Sequence, residues 1–141
     1  MPYKFVEGVA MADVTFEATG KTLEELFESS GKAVTNSMVE NLDTVEQKVT
    51  KKFCLKANNI EKLLHDFMDE LVFYKDAERL LFSGYKLKVK QGNECIVEAQ
   101  LKGEELDMNK HELITDVKAV SWHMYKVEKK EEWKAFVILD V

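Results

Sequence analysis

Proline is nearly absent from this chain, with one residue, and glycine is sparse, with six in 141. A chain poor in both lacks the composition of flexible linkers, which confines disorder to loop tips. Cysteine is scarce as well. Cys54 and Cys95 stand far apart without C-x-x-C spacing, which removes a zinc ribbon or a redox pair. They read as two reduced, strand-borne thiols of a cytosolic protein. Histidine occurs three times, at His65, His111 and His123, with no two at metal spacing on a helix. A G-x-S-x-G elbow, an H-E-x-x-H helix and a phosphate-cradling glycine loop are all missing, and no catalytic triad is legible. Long apolar runs are lacking too. Ala135 to Leu139 is far too short to span a bilayer, and the N-terminus has no apolar signal-peptide core. The expectation is a cytoplasmic protein that does not meet a membrane.

What is present suits one compact domain over residues 1–141. Apolar residues make up 45% of the chain, and 141 residues suffice to bury a core without staples. The formal net charge is −6. An acidic balance argues against broad phosphate-backbone contact, so no direct nucleic-acid binding is expected. It suits a basic partner or a hard cation.

Periodicity supplies the elements. Phe5 to Val9 reads as a short first strand. Asp13 to Thr19 alternates Val14, Phe16 and Ala18 against polar residues, the period of a half-buried strand. Thr22 followed three residues later by Glu25 has the form of a capping box. Leu23, Leu26, Phe27, Ser30, Val34 and Met38 then share a face, which predicts a helix from Leu23 to about Val39. Val45 to Leu55 reads as a strand. Asn58 or Asn59 can cap the segment carrying Ile60, Leu63, Leu64, Phe67, Met68, Leu71 and Val72, the clearest helical stripe in the chain. A stripe of this width faces a sheet. Short strands follow at Leu80–Phe82, Tyr85–Lys90 and Cys95–Leu101. A polar loop runs from Gly103 to Asp116, and two long strands close the chain, Val117–Val127 and Trp133–Val141. The predicted fold class is α+β, two helices packed on a mainly antiparallel sheet.

Two groups of residues offer chemistry. Lys110 and His111 stand together at the exit of the polar loop, with Lys118 and His123 beyond. Strand parity puts Lys118 and His123 on opposite faces, which counts against a direct pair. The plainer account makes Lys110 and His111 solvated loop residues and Lys118 a surface lysine. Asp13 precedes the first alternating strand, and Asp140 ends the last one. If those strands are neighbours, the two carboxylates meet at one sheet end, where they repel unless a cation or proton lies between them. Mg²⁺ or Ca²⁺ takes oxygen ligands of this kind, and the α-carboxylate of Val141 could add another. The plainer account makes Asp13 a turn residue and Asp140 a solubilising one.

The segments ADVTFEATGKTLEELFE (Ala12 to Glu28), LLHDFMDELVFYKDAERLLF (Leu63 to Phe82), KGEELDMNKHELITDVKAVSWH (Lys102 to His123) and the final ILDV stand in an order and spacing that resemble the archease family. The resemblance spans essentially the whole chain. It implies a protein cofactor rather than an enzyme, one that assists the GTP-dependent tRNA-splicing RNA ligase by promoting its guanylylation and repeated turnover. For some members it also implies chaperone-like partnership with a tRNA methyltransferase. The family's acidic metal-binding pair carries over to Asp13 and Asp140, and its "KH" and "VKA" positions to Lys110, His111 and Lys118. One departure stands out: Ala10 and Met11 occupy the place of a customary His-Thr pair. Two further readings compete, a small metal-dependent hydrolase using Asp13, Asp140 and His111, and a chaperone-like binding module.

Overall fold

The computed structural model describes residues 2–7 and 13–141. The Ala10–Met11 departure therefore lies outside the described residues. The chain forms β1 (Tyr3–Val6), β2 (Val14–Gly20), α1 (Leu23–Met38), β3 (Val49–Ala57), α2 (Ile60–Glu78), β4 (Leu80–Lys90), β5 (Cys95–Glu105), β6 (Ala119–Val120), β7 (Lys126–Lys129) and β8 (Trp133–Asp140), with a 3₁₀ turn at Leu42–Thr44. The α+β class is as expected, but the strands divide into two antiparallel sheets rather than one. A five-stranded sheet runs β1-β2-β8-β6, with β7 also paired to β8, and a three-stranded sheet runs β3-β5-β4.

Helix α1 starts where the sequence places it. The Thr22 hydroxyl accepts from the Glu25 N–H at 3.2 Å, and the Glu25 carboxylate accepts from the Thr22 N–H at 3.3 Å. Its buried surface is wider than one stripe, because α1 touches β2 and β8 of one sheet and β4 of the other. Small residues make that double contact possible. Gly31 lies against the Tyr85 ring, where a Cβ would sit 2.6 Å from a ring carbon. Ser29 Oγ donates to the Thr19 carbonyl at 2.9 Å. Helix α2 is capped by Asn59, whose side chain accepts from the Lys62 N–H at 2.8 Å. It buries Ile60, Leu63, Leu64, Phe67, Met68, Leu71 and Val72, the whole predicted stripe. Phe27, Phe67, Phe82 and Leu101 are among the fully enclosed side chains between helices and sheets. Each such burial contributes on the order of 1.5–3 kcal/mol.

Five strand expectations change. The predicted first strand, Phe5 to Val9, is observed as Tyr3–Val6, with Gly8 and Val9 outside the described residues, and the strand predicted to end at Leu101 runs on to Glu105, through the start of the expected polar loop. The predicted strand from Val45 begins at Val49, because the 3₁₀ turn precedes it. Leu80–Phe82 and Tyr85–Lys90 form one strand, β4, with an irregularity between Phe82 and Gly84. The predicted strand Val117–Val127 is broken into β6 and β7 by a turn in which Met124 takes φ 57°. Side-chain alternation does not continue through such a break. The parity argument separating Lys118 from His123 therefore does not hold.

Candidate functional site

Strand β8 is the hub of the five-stranded sheet, with β2 on one side and β6 and β7 on the other. Val14 pairs with Leu139, so Asp13 continues the register towards Asp140. Ala119 pairs with Asp140, so Lys118 continues the register towards Val141. The Lys118 N–H donates to the Asp140 carbonyl at 2.8 Å. Topology thus gathers Asp13, Lys118, Asp140 and Val141 at one end of one sheet. Asp13 is half-buried, and Lys118 and Asp140 are exposed. Among the described residues neither aspartate carboxylate has an ion-pair partner.

The segment entering β6 is tied down from the helix side. Lys75, buried on α2, donates to Asp116 Oδ1 at 2.6 Å and to the Val117 carbonyl at 2.7 Å, and pairs with Asp76 at 2.5 Å. Burial disfavours its charge, yet Asp116 and Asp76 outweigh it and hold the ammonium above the usual lysine range. Lys75 therefore anchors the two residues immediately before Lys118. Lys75 stands at the next position of the α2 stripe, four residues after Leu71 and three after Val72, where a charged residue does not register in an apolar pattern.

Lys110 and His111 belong to a different network, and the solvated-loop account of them is corrected. His111 is 2% exposed, and its Nε2 lies 3.0 Å from Glu104 Oε2. Its Nδ1 accepts from the Asp107 N–H at 2.9 Å, so Nε2 is the nitrogen that carries the proton to Glu104. Lys110 Nζ lies 2.8 Å from Glu104 Oε2 and 3.2 Å from Glu46 Oε1. Glu104 also accepts from the Glu46 N–H at 2.7 Å. Burial opposes ionisation of Glu104, but hydrogen bonds from Lys110, the Glu46 backbone and His111 prevail and bring its pKa down to about 2. Asp107 explains the local turn. Its carboxylate accepts from the Asn109 N–H at 2.9 Å, and its carbonyl accepts from His111 N–H at 2.7 Å. The side-chain partners of Lys110 and His111 are thus Glu104, Glu46 and Asp107, none of them at the sheet end. His111, with both nitrogens engaged in the interior, is poorly placed as a hydrolase base.

A third cluster was not anticipated. On α2 the ligand atoms of His65, Asp66 and Asp69 lie within 4.8 Å of one another. Lys62 already pairs with Asp66 at 2.9 Å. His65 Nδ1 approaches Asp69 Oδ2 at 3.2 Å but is not aligned for a hydrogen bond. The ring instead stacks flat on Trp122, with centroids 3.6 Å apart, and meets Tyr125 edge-on at 5.2 Å. Tyr125 donates to the Glu61 carbonyl at 2.7 Å, which closes this aromatic corner against the start of α2.

Two helices packed against two antiparallel sheets, with Asp13 and Asp140 brought by register to one end of the larger sheet, define a small α+β protein with polar sheet-end and loop clusters. The chain belongs to the archease family: the sequence profile of the Archease protein family matches residues 3–141. Protein archease of Pyrococcus furiosus is 33% identical over 133 residues, covering 92% of this chain and 93% of that one. Protein archease of Thermococcus kodakarensis is 34% identical with the same coverage. The solution structure of protein 1598 of Methanobacterium thermoautotrophicum superposes with a TM-score of 0.84 at 32% identity, over 99% of both chains. The crystal structure of an archease, described as a possible chaperone, from Thermotoga maritima shares the fold at 20% identity, with a TM-score of 0.59 over 94% of this chain and 93% of that one.

Proposed function

We propose that this protein is an accessory factor that activates the GTP-dependent tRNA-splicing RNA ligase, promoting its guanylylation and multiple turnover. The observation that carries the reading is the convergence of Asp13, Lys118 and Asp140 at one sheet end, by the registers of β2 and β6 on β8. The resemblance to the archease family, which implies the ligase as partner, supports this reading. A divalent cation, Ca²⁺ or Mg²⁺, fits the donor set at that end. The groups there are hard oxygen donors, and cations of this type take such ligands. Asp13 and Asp140 would hold the ion, with the Val141 carboxylate as a further oxygen. A bound ion would neutralise charge beside a nucleotide. The protein's own residues supply position: the Asp140 carbonyl fixes the Lys118 backbone, and Lys75 fixes the residues before it. Lys118 is then presented outward to a partner.

A chaperone-like role is the second reading, and one observation favours it. Met108, Ile114, Trp122 and Met124 are all more than half exposed, and they come from one stretch of chain. Apolar groups of this kind mark binding surfaces when they cluster.

The test is multiple-turnover RNA ligation by the cognate ligase, with no addition, the wild type, or folded Asp13→Ala and Asp140→Ala forms. The expected result is that wild type raises turnover and both variants fail to. A wild-type protein without effect on ligation would overturn the ligase reading and leave the chaperone-like one.

A further inference from the structure

The outer face of the three-stranded sheet carries charge opposite to that of the molecule. Register places Lys52, Gln100 and Lys86 in one cross-strand row, Cys54, Glu98 and Lys88 in the next, and Lys56, Ile96 and Lys90 in a third. Lys102 heads the face, between Thr50 and Gly84. Six lysines therefore share these four rows with one glutamate, Glu98, on a chain whose formal net charge is −6; Glu104, the next outward position of β5, is buried and already engaged by Lys110 and His111. All six are exposed, and among the described residues none has a carboxylate partner. The helices cover the opposite face of the sheet, on which Phe53, Val97 and Leu101 pack. A shallow, open groove of about 560 Å³ lies on this face, its lining including Lys52, Lys86 and Lys88.

We infer that this face binds the phosphate backbone of double-stranded RNA. Unpaired lysines on a solvated sheet are a polyanion-binding footprint, and the distribution of charge decides this rather than its total. Lysines on one strand recur about every 6.7 Å, and the β3 and β4 rows lie about 9–10 Å apart across β5. That breadth suits the wide, shallow minor groove of A-form RNA. The B-DNA minor groove is about 6 Å wide, and its major groove admits a helix or a two-stranded ribbon rather than a three-stranded face. Gln100 stands between Lys52 and Lys86, and its amide both donates and accepts, as does a ribose 2′-hydroxyl. The face bears no aromatic residue to stack on splayed bases, which argues against a single strand. It also lacks the aromatic and arginine anchors of protein interfaces, from whose centres lysine is depleted. The inference does not depend on the ligase reading, because its test contains no ligase.

Fluorescence anisotropy of the full chain with a short RNA duplex, over a salt series, tests it. Wild type is expected to bind with a steep salt dependence. A Lys52→Gln/Lys86→Gln/Lys88→Gln variant should bind at least about tenfold more weakly and lower the slope by roughly two to three. Glu98→Gln should tighten binding. A control lacking Lys4, Lys21 and Lys130 should bind as wild type. Circular dichroism confirms that each variant is folded. Absence of binding, equal binding to the matching DNA duplex or to a single strand, equal loss in the control, or preferential binding of polyglutamate would each overturn the inference.

Discussion

Glu104 is a carboxylate enclosed by the protein and kept ionised by Lys110, His111 and a backbone N–H. Its pKa falls from 4.5 to about 2. A lowered folded-state value means that the unfolded chain takes up the proton first as pH falls. The stabilisation is therefore complete above the ordinary carboxylate range and is lost as pH drops towards about 2, with a size on the order of 3 kcal/mol. Glu104→Gln is expected to destabilise by roughly 2–4 kcal/mol near neutrality, because it removes the charge that pairs with half-buried Lys110 beside the buried His111 ring. It should also flatten the acid limb of stability. Urea midpoints of wild type and variant at neutral and acid pH check both, and parallel acid limbs would contradict the assignment. None of this was legible in the sequence. Glu104 falls at an outward position of the β5 alternation, yet it is buried next to buried Gly103. A lysine and a histidine in a polar stretch carry no sign of the carboxylate that turns them inward.

The element most exposed to a single substitution is the β4–β5 hairpin. At Gly103 an added Cβ would lie 1.8 Å from the Leu81 carbonyl oxygen, opposite the irregularity between Phe82 and Gly84. Backbone cannot yield as a flexible side chain does. Gly103→Ala is expected to cost roughly 2–4 kcal/mol, read as a drop in thermal midpoint, whereas Gly92→Ala in the open turn should be close to neutral. The same irregularity explains why sequence reading divides β4. Ser83-Gly84 looks like a break, but Ser83 Oγ donates to the Val45 carbonyl at 2.7 Å and keeps the strand going. The helices were legible because burial imposes a 3.6-residue period over many turns. The β6–β7 break was not, because Val117 to Val127 keeps an apolar alternation through a turn stabilised by stacking on His65. That contact comes from α2, remote in sequence.

For the whole molecule, the sequence placed Asp13 just before one strand and Asp140 at the end of another, but their convergence depended on sheet order, which no local pattern encodes. The net charge was equally incomplete, since it averaged away the lysine face. If the sheet end holds a cation, calcium or magnesium in excess should raise the thermal midpoint by mass action, by about 2.7 kcal/mol of stability at one hundred times Kd. Asp13→Asn and Asp140→Asn should each remove that rise. An unchanged midpoint in wild type on adding either ion or chelator would remove the cation from the proposal.

The two sheets also differ in how the chain reaches them. Strands β3, β4 and β5, with α2, are contiguous in sequence and meet through short connections, whereas β2 must wait for β8 to pair at its inner edge. Contacts between distant segments carry a larger loop-closure entropy and form later. During synthesis the lysine-bearing sheet can be assembled while the larger sheet still lacks its middle strand, and the β2 edge stays open until β8 emerges. The acidic sheet end is therefore the last feature of the molecule to exist. A nascent or truncated chain without β8 would retain the basic face but not the acidic one.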